Sequence, residues 1–69
     1  MAILTRRERE ILEQLAQGYG DKEIAQRLDV SFDTVRTHLK HIYEKLHVRS
    51  RTEAALKFAR QTQQMPPRR

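Results

Sequence analysis

The chain has 69 residues, with 14 Lys plus Arg against 9 Asp plus Glu and no cysteine, which gives a net charge of +5 and an isoelectric point of about 10.2. The lack of cysteine excludes disulfides, Cys-ligated zinc and a thiol nucleophile. So short a chain forms one domain without a deep substrate pocket, so we expect neither an enzyme nor a cofactor. Only two Gly and two Pro favour helices over tight-turned sheet. With no secretory signal and no membrane partner expected, the predicted location is the cytoplasm.

The first predicted helix spans residues 6–17. Thr5 and Glu8 have the spacing of a capping box, in which each side chain accepts a hydrogen bond from the other residue's backbone amide. Gly18 supplies a residue that adopts the left-handed conformation easily and so ends the helix. The apolar residues repeat with helical spacing, which predicts an amphipathic helix: Ile11, Leu12, Leu15 and Ala16.

A second, short helix is predicted to start at Asp21 as its N-cap and to end near Leu28. Asp29 is expected in the left-handed conformation, and Ser31 is the predicted N-cap of the next helix. Because only three residues separate the two helices, they are expected to cross steeply.

The third predicted helix, residues 32–46, is the longest. Its two sides differ sharply in polarity. One side carries the apolar residues Val35, Leu39, Ile42 and Leu46, with Tyr43 at the edge. The opposite side carries Asp33, Arg36, Thr37, Lys40 and Glu44.

Ser50 and Glu53 form a second predicted capping box, which starts a fourth helix over residues 51–61. Leu56 lies off the apolar stripe of this helix, on a line with Thr52 and Ala59. The consecutive prolines Pro66 and Pro67 stop any helix. We therefore predict an all-α, four-helix bundle-like domain over residues 1–61, followed by a flexible Gln-, Pro- and Arg-containing tail over residues 62–69.

The positive charge is concentrated in one part of the chain. Residues 36–51 contain five basic side chains and one acidic side chain, a net charge of +4, whereas residues 1–35 sum to −2. A surface that merely solvates helix faces would not concentrate its excess in one part of the chain. The distribution therefore indicates a polyanionic partner.

A short helix, a tight turn and a longer basic helix form the arrangement that places a recognition helix in the DNA major groove. Arg36 and Lys40 can donate to guanine O6 and N7, and Thr37 suits a thymine methyl or a phosphate. Asp33 either accepts from cytosine or only favours the helix dipole, and the second interpretation is preferred because phosphates repel it. The predicted phosphate contacts, which give affinity without sequence information, are Lys22, Thr34, His41, Lys45, Arg49 and Arg51.

Several segments together resemble one family over residues 4–60. The segments are LTRREREIL at 4–12, DKEIA at 21–25, TVRTHL at 34–39 and KLHVRSRTEA at 45–54. They resemble the LuxR-type (GerE-like) helix-turn-helix domain, and are most similar to the DNA-binding domains of NarL/FixJ-type response regulators.

The resemblance implies a bacterial transcription regulator that binds paired half-sites of double-stranded DNA as a dimer. The third helix of each copy would read the bases. Its base-reading positions fall on Arg36, Thr37 and Lys40, and a backbone-contacting lysine falls on Lys22. It also implies a homodimer contact through the fourth helix, for which we expect Thr52, Leu56 and Ala59, weak without DNA or an upstream domain. RNA polymerase is a further candidate partner.

The sequence departs from the family pattern at two places. Gly20 and Asp21 stand where the family usually has Ser or Thr and then Asn, so a hydroxyl–phosphate contact at residue 20 is lost. His47 stands where Gly is frequent, so the turn there is expected to differ slightly. The resemblance starts at residue 4, so we expect either a stand-alone regulator or an excised C-terminal domain.

Other functions fit the sequence less well. His38, His41 and Glu44 have helical spacing that could hold a metal, but we expect no metal site. Ser31 and Ser50 are better explained as helix caps than as nucleophiles. The main alternative is a protein-interaction module whose basic helix binds an acidic partner. A sigma-factor-like region is a third option, which the segment LHVRSRTEA disfavours.

Overall fold

The structure is a computed structural model that describes residues 3–62, with the side chains of residues 3–60. Within this part of the chain there are four helices and no strand: α1 (Arg6–Ala16), α2 (Asp21–Leu28), α3 (Phe32–Leu46) and α4 (Arg51–Thr62). The predicted all-α, four-helix fold is confirmed. Helix α4 ends one residue later than expected, and the rest of the predicted tail, residues 63–69, lies outside the described residues.

The apolar stripes of the four helices meet in one core. Its buried members are Ile11, Leu12, Leu15, Ile24, Ala25, Val35, Leu39, Ile42, Leu46 and Ala54. Leu4, Tyr19, Phe58 and other half-buried apolar residues pack around it. Helix α3 contributes its whole apolar side to this core, which fixes which of its side chains face outwards.

The caps of α1 and α3 form as their sequences predict. The amide of Glu8 donates to Thr5 Oγ1 at 3.1 Å, and the amide of Thr5 donates to the Glu8 carboxylate at 2.8 Å. Ser31 Oγ accepts from the amide of Thr34 at 3.0 Å. These bonds satisfy amides that have no partner within the helix, and so fix where α3 begins.

Two predicted caps differ in detail. The N-cap of α2 is Gly20, not Asp21, because the Gly20 carbonyl already accepts from the amide of Ile24 at 2.9 Å. Ser50 Oγ accepts from the amide of Glu53 at 3.2 Å as expected. The Glu53 carboxylate, however, accepts from the amide of Arg49 at 2.8 Å, one residue earlier than a capping box requires.

Left-handed residues stand at the ends of the first three helices. Gly18 has φ +100°, Asp29 has φ 58° and His47 has φ 57°. The conformations predicted for Gly18 and Asp29 are confirmed. His47 takes the left-handed conformation that glycine adopts most easily, so α3 ends in that conformation at a histidine.

Candidate nucleic-acid interface

Helix α3 presents one buried and one exposed side. Val35, Leu39 and Ile42 are in the core, while Arg36 and Lys40 are exposed one and two turns along the helix. Thr37 is also exposed, and so is Asp33 in the first turn. Arg36, Thr37 and Lys40 line the same concave surface. The structure therefore brings the three predicted base-reading residues together on the outer side of α3.

The basic groups on this surface keep hydrogen-bond donors available. Within residues 3–60, the side chains of Lys40 and Thr37 make no ion pair or hydrogen bond to another side chain. The Arg36 guanidinium lies 5.7 Å from the centre of the Phe32 ring, a contact with the ring face that uses none of its N–H groups. An external acceptor can therefore reach these donors without first displacing a carboxylate.

The predicted phosphate contacts fall into two groups. Lys22, His41 and Arg49 have exposed side chains. Thr34 is half-buried, and its hydroxyl lies 2.8 Å from that of Ser31. The other two residues, Lys45 and Arg51, have partners inside the protein.

Lys45 is held by the start of the chain. Its Nζ donates to the Glu8 carboxylate at 2.7 Å and to the Ile3 carbonyl at 3.3 Å. The Glu8 side chain is 5% exposed. Burial raises the pKa of Glu8, but hydrogen bonds from Lys45 and Thr5, together with the charge of Lys45, outweigh burial and lower the pKa below its ordinary value. The pair therefore joins α1 to the C-terminal half of α3.

Arg51 joins the start of α4 to the start of α2. Its guanidinium donates to the Asp21 carboxylate at 3.0 Å and to the Tyr19 carbonyl at 3.1 Å. Burial raises the pKa of the nearby Tyr43 hydroxyl, an effect that Arg51 opposes. Two of the Arg51 donors are therefore used inside the protein, next to the residue that precedes Lys22.

Helix α4 carries the residues predicted for dimerisation. Leu56 is 58% exposed, Thr52 is exposed and Ala59 is half-buried. Leu56 also lines a shallow groove with His47, Val48, Glu53, Lys57 and Arg60. The apolar side chain predicted to lie off the core is thus found at the surface.

Residues 2–58 match the family of bacterial regulatory proteins known as the luxR family. The chain belongs to the LuxR family. Membership implies a helix-turn-helix domain that binds DNA in transcription regulation, which confirms the family and the general function predicted from the sequence.

The curated relatives of this LuxR-family domain are transcription regulators, not enzymes. It is 51% identical over 53 residues to the nitrate/nitrite response regulator protein NarL of Escherichia coli K12. These aligned residues make up 77% of this chain and 24% of NarL. It is 53% identical over 51 residues to the oxygen regulatory protein NreC of Staphylococcus carnosus, 74% of this chain and 24% of NreC. The chain thus spans about a quarter of the length of these relatives.

A solved structure shares the fold. The complex of the anti-activator RapF with the DNA-binding domain of the response regulator ComA contains a chain similar to this one, with a TM-score of 0.76 and 42% sequence identity. The similarity covers 78% of this chain and 93% of that chain.

The sequence pattern did not reveal which basic residues of the LuxR-family domain are paired internally. Glu8 and Lys45 are 37 residues apart, so no local spacing joins them. Lys57 was also missed: its Nζ donates to the Leu46 carbonyl at 2.7 Å, at the C-terminal end of α3. The sequence carried no signal for this contact, because Lys57 lies in the middle of α4 and reaches the end of α3 only through the packing of the two helices.

Neither a metal-binding cluster nor a membrane-spanning helix occurs in the described part of the chain. Among residues 3–62, no three or more His, Asp or Glu side chains are placed to hold a metal ion. His38 is half-buried, and His41 and Glu44 are exposed. None of the helices in the described range combines the length and apolar character needed to cross a bilayer.

Proposed function

We propose that this domain binds double-stranded DNA sequence-specifically, with α3 in the major groove, and so directs transcription regulation to particular sites. The observation that carries the proposal is the exposed row of Arg36, Thr37 and Lys40 on the side of α3 opposite its core residues. A major groove about 12 Å wide admits a helix of about 10–12 Å diameter. The first half of α3 then faces base edges.

Each residue of the row has a role that its chemistry supports. Arg36 donates two parallel hydrogen bonds to guanine O6 and N7, and Lys40 donates to the same kind of acceptor one turn further along. Thr37 contacts a thymine methyl or a phosphate. Asp33 stays in the first turn of α3, where its charge favours the helix dipole.

Phosphate contacts position the helix in the groove. We assign them to Lys22, Thr34, His41 and Arg49, whose side chains are exposed or half-exposed around α3. The sequence also predicts Lys45 and Arg51. Because both donate to internal partners, we propose that they add positive potential and hold the framework without bonding a phosphate directly.

Selection from a random duplex pool, followed by sequencing, tests DNA binding, site preference and half-site spacing together. On the selected site, Arg36→Ala is expected to weaken binding by about 1–3 kcal/mol and to relax preference at one base position. Arg6→Ala, which removes an exposed arginine of α1, serves as the control and should change base preference nowhere. An equal loss on selected and random duplexes would reduce Arg36 to a phosphate contact.

We further propose that two copies bind paired half-sites through Thr52, Leu56 and Ala59 on α4. One short helix offers less than the roughly 1,200–2,000 Å² that stable interfaces bury, so the contact is expected to be weak without DNA. Leu56→Glu should abolish cooperative occupancy of paired half-sites while leaving single half-site binding unchanged. Unchanged cooperativity would remove Leu56 from the interface.

A protein-binding function is the second candidate, because the similar ComA domain is found in complex with the protein RapF. An acidic protein partner and a duplex would both bind this basic surface in a salt-dependent way. Competition separates them: excess non-specific duplex should displace a bound DNA ligand and leave a protein partner in place.

A further inference from the structure

Phe32 is an exposed aromatic residue at the first position of the recognition helix. It is 38% exposed, whereas Phe58 is half-buried against the core. Its position follows directly from the cap, because Ser31 fixes the start of α3 one residue before it. The Phe32 ring is not part of the core. The presence of an apolar ring on the outer surface of α3 therefore needs another explanation.

The neighbour of the Phe32 ring is Arg36. The two residues are four apart in α3, so their side chains project about 40° apart on the same face. The Arg36 guanidinium lies 5.7 Å from the ring centre, within the roughly 6 Å at which a cation interacts with a ring face. The Arg36 guanidinium therefore packs against an aromatic ring at the edge of the proposed DNA interface.

The type of contact matters for base reading. A carboxylate partner, such as Asp21 for Arg51, uses N–H donors of the guanidinium. A ring face restricts the guanidinium while leaving all of its donors in the plane free. Restriction of this kind lowers the ordering cost of a two-bond contact with guanine without competing for the same hydrogen bonds.

We propose that Phe32 is a positioning residue for Arg36, and that its ring sets how strongly this domain discriminates the base that Arg36 reads. The inference rests on the proposed function. It predicts that Phe32 acts through Arg36 and makes no sequence-reading contact of its own.

The experiment measures binding of a single selected half-site and of a random duplex by the full chain. Phe32→Ala should weaken selected-site binding by about two- to five-fold, the range for an exposed cation–π contact, and leave random-duplex binding unchanged. Phe32→Tyr, which keeps the ring face, should bind as the parent does. Ile3→Ala removes another exposed apolar side chain and is the matched control, with no expected change.

A double-mutant cycle decides whether the effect passes through Arg36. In an Arg36→Ala background, Phe32→Ala should have no further effect on the selected site. Independent, multiplying effects of the two substitutions would overturn the proposal. Thermal unfolding monitors the fold of each variant, and Phe32→Leu, which keeps an apolar side chain without a ring, should show the same loss of discrimination if Phe32→Ala does not fold.

A second arm tests direct reading of the base by Phe32. Replacing thymines of the half-site with uracil removes only their methyl groups, and the effect of Phe32→Ala should persist on this DNA. If it disappears, Phe32 reads a thymine methyl itself and the positioning role is wrong. If the parent chain shows no preference for any duplex, the proposed function fails; a preference that is insensitive to Phe32 refutes only the present inference.

Discussion

Lys40 and Lys45 lie on the same helix and add equally to the net charge, yet their surroundings are opposite. Lys40 is exposed on the outer side of α3, without an ion-pair partner among the side chains of residues 3–60. Lys45 donates to the Glu8 carboxylate at 2.7 Å and to the Ile3 carbonyl at 3.3 Å. The Lys40 charge is thus available to an outside partner, while the Lys45 charge, near the C-terminal end of α3, holds α1.

The same division separates Lys22 from Arg51. Lys22 is exposed near the start of α2, whereas Arg51 is paired with Asp21. Charge counts along the chain cannot make this distinction, because the acidic partners come from distant segments. A basic residue contributes to a binding surface only when the fold leaves its donors uncommitted.

The largest expected effect comes from removing the Lys45 ammonium while keeping its apolar stem. Lys45→Met leaves the buried Glu8 carboxylate without its cation, and should lower the free energy of unfolding by about 1–3 kcal/mol. The estimate stays below that of a fully buried pair because the Lys45 side chain is 32% exposed. Urea denaturation measures the change.

Lys40→Met is the matched control on the same helix. Its effect on the free energy of unfolding should stay within about 0.5 kcal/mol, as for exposed sites generally, while its binding to DNA should weaken. The Lys45→Met variant should lose stability but, measured while folded, should weaken DNA binding less than Lys40→Met does, because Lys45 adds positive potential without bonding a phosphate. Equal stability of the two variants would break the division between paired and available lysines.

Much of the fold could be predicted because its signals are local. The caps at Thr5 and Ser31 and the apolar stripe of α3 depend on residues within a turn or two of each other. The outer position of Arg36 follows from the same periodicity. The Glu8–Lys45 pair could not be predicted, since it depends on how α1 packs against α3. At Gly20 there is no side chain to act as a cap: its carbonyl accepts from the amide of Ile24, and its amide donates to the Glu23 carboxylate.

A second prediction concerns acid stability. Because the folded-state pKa of Glu8 is lowered, the stabilisation is present above the ordinary carboxyl pKa and is lost as the pH falls through the folded-state value. In Lys45→Met, burial raises the pKa of Glu8 without opposition from Lys45, so the loss of stability on acidification should be shallower. Urea denaturation at pH values from about 7 to 3 measures both profiles. Parallel profiles would show that the ion pair adds nothing to acid sensitivity.

The smallest expected effect is on the salt dependence of DNA binding. It tests the difference between basic residues that are paired inside the protein and basic residues that are available to DNA. A cation that neutralises a phosphate releases counterions, so Lys22→Ala should reduce the slope of log K against log salt by about 0.9. Arg51→Met should reduce the slope much less, because in the parent protein the Arg51 guanidinium stays bonded to Asp21 and Tyr19 and binds no phosphate. The main effect of this substitution should be a loss of about 0.5 kcal/mol in the free energy of unfolding. Binding titrations at several salt concentrations measure both slopes. If Arg51→Met lowers the slope as much as Lys22→Ala does, Arg51 leaves its internal partners to bind a phosphate. The bonds of Arg51 to Asp21 and Tyr19 in the free domain would then be exchanged for a phosphate contact on DNA.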